Sequence, residues 1–153
     1  WKNHNLPTIS LRYFTVYGPR QRPDMAINKF VNAIIKGKEI IIYGDGNQTR
    51  DFTYVSDVVN ANILAAESHL EGEIFNIGSG SRMSVNHLIV LLEEIIGRKA
   101  KIKHSGDQKG DVKNTMASIE KSKRLLGYKP TVTIEDGLKR YVAWVSKIEE
   151  SGV

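Results

Sequence analysis

The sequence predicts an α/β fold, with α+β the alternative that the residues leave open, and three observations carry that expectation. Extended runs rich in β-branched and aromatic residues alternate with segments of helical periodicity. Glycines stand where three of the helical segments would stop, at Gly37, Gly97 and Gly127. From Glu73 to Ile96 a strand-like run, the turn Gly78-Ser79-Gly80 and an apolar helical stripe follow one another directly, the order expected of strand-turn-helix units.

Thr8 to Tyr17 reads as one largely buried strand, dense enough in apolar residues to be covered on both faces. The next seven residues, Gly18 to Asp24, hold two prolines and a glycine, so they form an irregular loop at the strand's carboxyl end, where ligands bind in open α/β sheets. Ile27, Phe30, Val31, Ile34 and Ile35 share one helical face. Glu39 to Tyr43 and Gln48 to Val55 are extended runs around the turn Gly44-Asp45-Gly46-Asn47, which together predict a hairpin. Ser56 is placed to cap a helix ending near Ser68, with Asp57 favourable in its first turn. Ser84 caps a helix with the stripe Val85, Leu88, Ile89, Leu92, Ile95 and Ile96. Lys99, Lys101 and Lys103 alternate with Ala100 and Ile102, the pattern of an edge strand with a lysine face and an apolar face. His104 to Thr115 lacks periodicity and reads as a loop of about 12 residues, long enough to carry function. A short helix near Ile119 to Leu126 comes next. Thr133, with Asp136 three residues on, then opens a last helix carrying Leu138, Tyr141, Val142, Val145 and Ile148. Four or five strands are few for a self-sufficient sheet, which points to a piece of a larger fold.

The 153 residues suit about one domain, and 41% hydrophobic with 25% charged residues excludes intrinsic disorder and collagen-like repeats. Cysteine is absent, so a disulfide scaffold is excluded too. No apolar run is long enough to span a membrane and no leader pattern opens the chain, from which a cytoplasmic location is expected. The formal charge of +5 is compatible with anionic partners. A nucleic-acid groove would interleave aromatics with its lysines, and none do so here, so nucleic acid is not expected as a partner.

The pattern Gly-x-Gly-x-x-Gly fails at Met83, and no Walker loop, metal-ligand spacing or Tyr-x-x-x-Lys pair occurs. The four histidines are scattered, and no catalytic or metal-ligating residue is assigned. The positive signal is a set of cationic side chains in loops: Arg20 and Arg22 in the proline-bounded loop, Arg50 after the glycine-rich turn, and Lys109 beside Asp111. Guanidinium groups hold phosphates or carboxylates through paired hydrogen bonds, although each of these arginines alone also fits a plain surface charge. Asp51 either orients Arg50 or neutralises it at the surface. Tyr43 suits a flat base and equally suits a core.

Three ordered stretches, Leu11 to Arg20, Tyr43 to Val58 and Asn76 to Gly80, resemble the carboxy-terminal half of the NAD-dependent nucleotide-sugar epimerases and dehydratases of the extended short-chain dehydrogenase family. The likeness continues through Gly110-Asp111-Val112 and Leu125 to Pro130. It implies a Rossmann-like fold of which residues 1–153 form the last parallel strands plus a small helix-rich substrate-binding subdomain. The amino-terminal half, which would bind most of the NAD and carry the catalytic tyrosine and lysine, is then absent from this chain. The resemblance places Tyr13 and Phe14 near the nicotinamide, Tyr43 and the backbone of Ile41 against uracil, Arg50 on the diphosphate and Asp111 on the ribose. It implies a UDP-sugar as substrate, and a homodimer as the full-length enzyme. Thr15 stands where glucose/galactose epimerases usually have asparagine. With Arg22-Pro23-Asp24-Met25 it is similar to the UDP-glucuronate 4-epimerase branch, in which Thr15 and Arg22 would meet the sugar carboxylate. Gln108 replaces a usual arginine, which shifts that phosphate contact to Lys109. A dehydratase, decarboxylase or reductase of the same family, and a non-catalytic nucleotide-binding module, are the other functions considered.

Overall fold

The structure is a computed structural model and describes residues 1–106, 110 and 112–150. Lys109 and Asp111, and with them Gln108, lie outside the described residues. Among the described residues the strands are β1 (Ile9–Tyr13), β2 (Thr15–Tyr17), β3 (Glu39–Tyr43), β4 (Thr49–Arg50), β5 (Phe52–Tyr54), β6 (Glu73–Ile77), β7 (Met83–Ser84) and β8 (Lys101–Ser105). The helices are α1 (Ala26–Lys36), α2 (Val55–Glu67), α3 (Val85–Ile96), α4 (Glu120–Leu126) and α5 (Ile134–Glu150).

The single strand expected over Thr8 to Tyr17 is divided at Phe14, where the chain changes partner. β1 runs parallel to β6, with Leu11 opposite Phe75, and β2 runs parallel to β5, with Val16 opposite Thr53. The Phe14 N–H donates to the Ile77 carbonyl at 3.0 Å and the next N–H, of Thr15, donates to the Asp51 carbonyl at 3.1 Å. Successive N–H groups of an extended chain point to opposite edges, so β6 and β5 flank the run on its two sides. Its faces are only partly covered: Ser10, Arg12 and Tyr13 are exposed, against the expectation of burial on both faces.

No hairpin forms between Glu39 and Val55. β3 pairs instead with β8 in parallel, Ile41 opposite Lys103, while β4 pairs antiparallel with β7 and β5 goes to β2. A parallel partner satisfies β3 because its inner residues Ile40 and Ile42, each 2% exposed, must face the helices, and the glycine turn after Tyr43 leads the chain away from it. β8 is exposed along its whole length, Ile102 included at 45%, so the apolar side expected of the lysine strand is not buried.

Two apolar cores form. The larger joins α1, α3 and α5 to Ile40 and Ile42 and to Tyr17, Phe52 and Tyr54. Ile27, Phe30, Val31 and Ile34 of α1 point into it, each burial stabilising by about 1.5–3 kcal/mol. The smaller gathers Phe75 and Ile77 of β6 with Val58 and Ala61 of α2, and with Ala117, Ile119, Leu126 and Tyr128. Parallel strand pairs packed on helices are the Rossmann-like α/β arrangement expected, with α1, α3 and α5 gathered in the larger core.

Of the helix ends that the sequence assigns to a capping residue, all but one form as expected. Gly37, Gly97 and Gly127 close α1, α3 and α4 in left-handed backbone. The Ser84 hydroxyl accepts from the His87 N–H at 3.2 Å, and Thr133 accepts from the Asp136 N–H at 3.1 Å. Ser56 caps nothing, because strand β5 runs directly into α2 and the capping position falls on Tyr54. Asp57 stands in the first turn of α2 as expected and, being buried there, also accepts from the Thr131 N–H and hydroxyl and the Val132 N–H at 3.0–3.2 Å. Among the described residues no helix is long and apolar enough to cross a membrane.

Candidate functional site

The carboxyl ends of β2 and β3 open onto two cavities, of about 860 and 330 Å³, that share a wall made by Thr15, Gln21, Met25 and Arg50. These volumes are in the range of ordinary small-molecule sites. The first cavity is bounded by the end of the β1–β2 run and by the loop after it, which Gly18 makes possible. Its backbone φ of 134° suits glycine, and a Cβ there would lie 2.7 Å from Val55 Cγ1. Arg20, also on this loop, holds left-handed backbone at φ 65°, a conformation that costs a non-glycine residue energy and gathers at ligand-holding sites.

All the expected site residues that fall within the described part line one cavity or the other. Tyr13, Phe14, Thr15, Arg22 and Arg50 line the first; Thr15, Ile41, Tyr43 and Arg50 line the second. Tyr43 and Ile41 are 47% and 52% exposed, so both belong to an open face of β3 and neither to the core. Gln48 holds the end of this strand, its amide donating to the Tyr43 carbonyl at 2.9 Å. Tyr13 donates its hydroxyl to Asn62 Oδ1 at 2.8 Å, which fixes the ring at the cavity mouth.

The electrostatics of the first cavity are one-sided. Arg12, Arg20, Arg22 and Arg50 line it, and no carboxylate does so among its described lining residues. That composition favours an anion. Arg50 donates through Nη1 to the Thr49 carbonyl at 2.8 Å and to the Lys113 carbonyl at 3.4 Å. Arg22 forks onto Asp24, Nε to Oδ1 at 3.0 Å and Nη2 to Oδ2. This bond, with the mutual attraction of the charges, holds Asp24 below its ordinary range and Arg22 above its own. Tyr17 borders the same cavity with a phenol that burial, then Tyr54 and Asp57, push well above the usual range. It therefore stays protonated and donates to the Ile134 carbonyl at 3.3 Å.

Asp51 does not neutralise Arg50 at the surface: it is fully buried, and it accepts from Thr53, from the N–H and hydroxyl of Ser79, and from the N–H groups of Gly80 and Ala117. The turn Gly78-Ser79-Gly80 thus wraps a carboxylate of its own chain. Sequence reasoning also missed Gln21 and Met25, which belong to the shared wall. Gln21 has only its place between Arg20 and Arg22 as a signal, whereas Met25 closes the run Arg22-Pro23-Asp24-Met25, already singled out without being given a role of its own. Among the described residues, no group of three or more histidine, aspartate or glutamate side chains could hold a metal ion.

The family model for the NAD dependent epimerase/dehydratase family matches residues 1–78. The UDP-glucuronate 4-epimerase of Thermodesulfobacterium geofontis is 49% identical over 142 residues, 92% of this chain and 44% of that protein. Among solved structures, UDP-glucuronic acid 4-epimerase from Bacillus cereus, in complex with UDP-glucuronic acid and NAD, superposes with a TM-score of 0.92 at 41% identity, over 96% of this chain and 48% of that one. UDP-glucose 4-epimerase from Thermotoga maritima, with UDP-glucose, gives a TM-score of 0.93 at 40% identity, over 97% and 48%. The chain spans about half the length of the relatives it matches. By its matched motifs and its fold, the chain belongs to the NAD dependent epimerase/dehydratase family.

Proposed function

We propose that residues 1–153 are the substrate-binding portion of an NAD-dependent UDP-sugar 4-epimerase whose NAD-binding half lies outside this chain. The observation that carries this reading is the position of Arg50 in the wall common to both cavities. A UDP-sugar laid across that wall has its diphosphate at Arg50, its base toward Ile41 and Tyr43, and its sugar toward Thr15 and the loop of Arg22. The anion-favouring lining of the larger cavity supports the same orientation. Lys109 and Asp111 are proposed to add contacts to the phosphates and the ribose, by the resemblance alone.

NAD, when bound, would accept hydride from the sugar C4 and return it to the other face. Tyr13 and Phe14, at the mouth of the first cavity, would border the nicotinamide. The residues of this chain would otherwise bind and orient the substrate, and the chain alone is expected to show no epimerase turnover. By the same resemblance the full-length enzyme is proposed to be a homodimer.

For the sugar itself we favour a uronate. The Arg22–Asp24 fork supports this reading: the guanidinium holds a carboxylate through two parallel bonds, the geometry a C6 carboxylate would use on exchanging with Asp24. The family also includes dehydratases, and a dehydratase or decarboxylase reading would be favoured if the full-length enzyme released a product altered at C5 or C6. The diphosphate assignment is tested in the full-length enzyme by calorimetry with UDP. Arg50→Ala should weaken binding by about 1.5–3 kcal/mol, the scale of a lost hydrogen bond to a charged group, and unchanged affinity would remove Arg50 from the site.

A further inference from the structure

We propose that Asp51 is a positioning residue for Arg50: it fixes the Lys113–Ala117 segment, against which the guanidinium is held. The proposal rests on the reading of Arg50 as a diphosphate contact. It begins from the chemistry of the carboxylate's surroundings. Five hydrogen bonds reach the Asp51 carboxylate, from two hydroxyls and three N–H groups. Thr53 Oγ1 (3.2 Å), the Ser79 N–H (2.7 Å) and Ser79 Oγ (2.8 Å) reach Oδ1, and the N–H groups of Gly80 (3.1 Å) and Ala117 (3.0 Å) reach Oδ2. Only an acceptor on both oxygens satisfies that set. An asparagine would direct its amino group at two N–H donors.

The bond to Ala117 spans 66 residues of sequence, and the segment it holds is the one that touches Arg50. Thr49 donates its N–H to the Lys113 carbonyl at 2.9 Å and accepts from the Thr115 N–H at 3.1 Å, while its hydroxyl meets Asn114 Oδ1 at 2.7 Å. The Lys113 carbonyl also accepts from Arg50 Nη1, and Thr115 lines the larger cavity. The segment is therefore pinned at one end by Thr49 and at the other by Asp51, with Arg50 between them in sequence. Space reinforces the pin. A Cβ on Gly78 would fall on the Ala117 methyl and come within 2.8 Å of Asp51 Oδ2, so the glycine turn, the carboxylate and Ala117 are packed without slack.

The alternation of a strand explains why the two neighbours divide the work. Arg50 and Asp51 point to opposite sides of the chain, one to the cavities and one to the interior. A purely structural role for Asp51 predicts a loss of stability unrelated to Arg50. A positioning role predicts that the loss in ligand affinity disappears once Arg50 is gone.

The test is a double-mutant cycle in the full-length enzyme, reading UDP affinity by calorimetry for Asp51→Asn, Arg50→Ala and the pair. Asp51→Asn is expected to weaken UDP by about five- to tenfold in the presence of Arg50, and by nothing further in the Arg50→Ala background. If Asp51→Asn binds UDP like the parent, or if the two losses multiply in the pair, the positioning role is overturned while the Arg50 assignment stands. If Arg50→Ala itself leaves UDP binding unchanged, both the assignment and the role that acts through it fall. Should Asp51→Asn not fold, Ser79→Ala keeps the carboxylate and removes the hydroxyl that holds Asp51 Oδ1. It should weaken UDP by about two- to threefold, again only with Arg50 present, and an unaltered affinity there overturns the proposal.

Discussion

Gly137 lies in the first turns of α5 with a backbone that alanine could adopt, so on an exposed helix Gly137→Ala would stabilise by about 1 kcal/mol. Here the opposite is expected. The added Cβ would fall on the Tyr17 hydroxyl and come within 2.9 Å of Tyr54 Cδ2. Neither ring can yield: Tyr17 is 1% and Tyr54 7% exposed, and they pack edge to face with centroids 5.4 Å apart. The helix would have to lift, which disturbs Leu138 and Tyr141, both fully buried. Overpacking of this kind costs about 3 kcal/mol, and subtracting the helix gain leaves a net loss of about 2 kcal/mol. For a chain of this size that lowers Tm by about 4–8 °C, measurable by thermal unfolding followed by circular dichroism. Tyr17→Phe removes the oxygen nearest the new methyl, so Gly137→Ala should cost less when combined with Tyr17→Phe than in the parent. A rise in Tm for Gly137→Ala, or an identical cost with and without the Tyr17 hydroxyl, would refute the packing argument.

Three further outcomes are expected. Glu93 is held below its ordinary range by the hydrogen bond from Lys99, then by the Ala100 N–H; its folded-state value being depressed, the stability it contributes is present above the ordinary glutamate range and is lost as pH falls through the folded value, so Glu93→Gln should flatten the acid side of a denaturant-measured stability profile. Ser84→Ala removes the acceptor for the His87 N–H and should cost about 1 kcal/mol in chemical denaturation. Arg22→Ala in the full-length enzyme should erase a preference for UDP-glucuronate over UDP-glucose of about tenfold to a hundredfold in kcat/KM, with UDP affinity nearly intact; equal efficiency of the two substrates in the parent enzyme would sink the uronate assignment.

The parts of this fold legible in the sequence are those fixed by neighbours in the chain. The stripe of α1 and the glycine that ends it, the Ser84 cap and the Thr133 start all depend on residues within two helical turns. The pairing of strands depends on distant residues and was not legible. Gly44-Asp45-Gly46-Asn47 has the composition of a hairpin turn. Yet Asp45 is occupied by the N–H and side chain of Asn47, and Asn86 donates to the Asp45 carbonyl, which fastens the turn to α3. The lysine strand shows the same limit, since alternation predicts two unlike faces and says nothing of whether anything covers them. In the site, the cationic loop residues could be read individually. The convergence of Arg20, Arg22 and Arg50 on one cavity with Gln21 and Met25 could not, because it depends on how the proline-bounded loop lies over β2 and the start of α2.

The dense motif from Arg50 to Asp57 becomes intelligible once its two buried carboxylates are compared. Asp51 reaches Ser79, Gly80 and Ala117; Asp57 reaches Thr131 and Val132, 74 and 75 residues away. Each binds backbone N–H groups of later segments that have no ladder partner at those positions. A carboxylate suits this better than an amide, being an acceptor at both oxygens and forming stronger bonds to N–H. These two residues consequently tie the glycine turn, the segment before α4 and the segment before α5 to one short stretch of chain. The same stretch presents Arg50 to both cavities and Phe52 to the smaller one. Anything that loosens the later segments would therefore be felt at the cavity wall through residues that face the interior, whereas Ser56, in the same stretch but exposed and without a capping role, should tolerate substitution with little effect on either stability or binding.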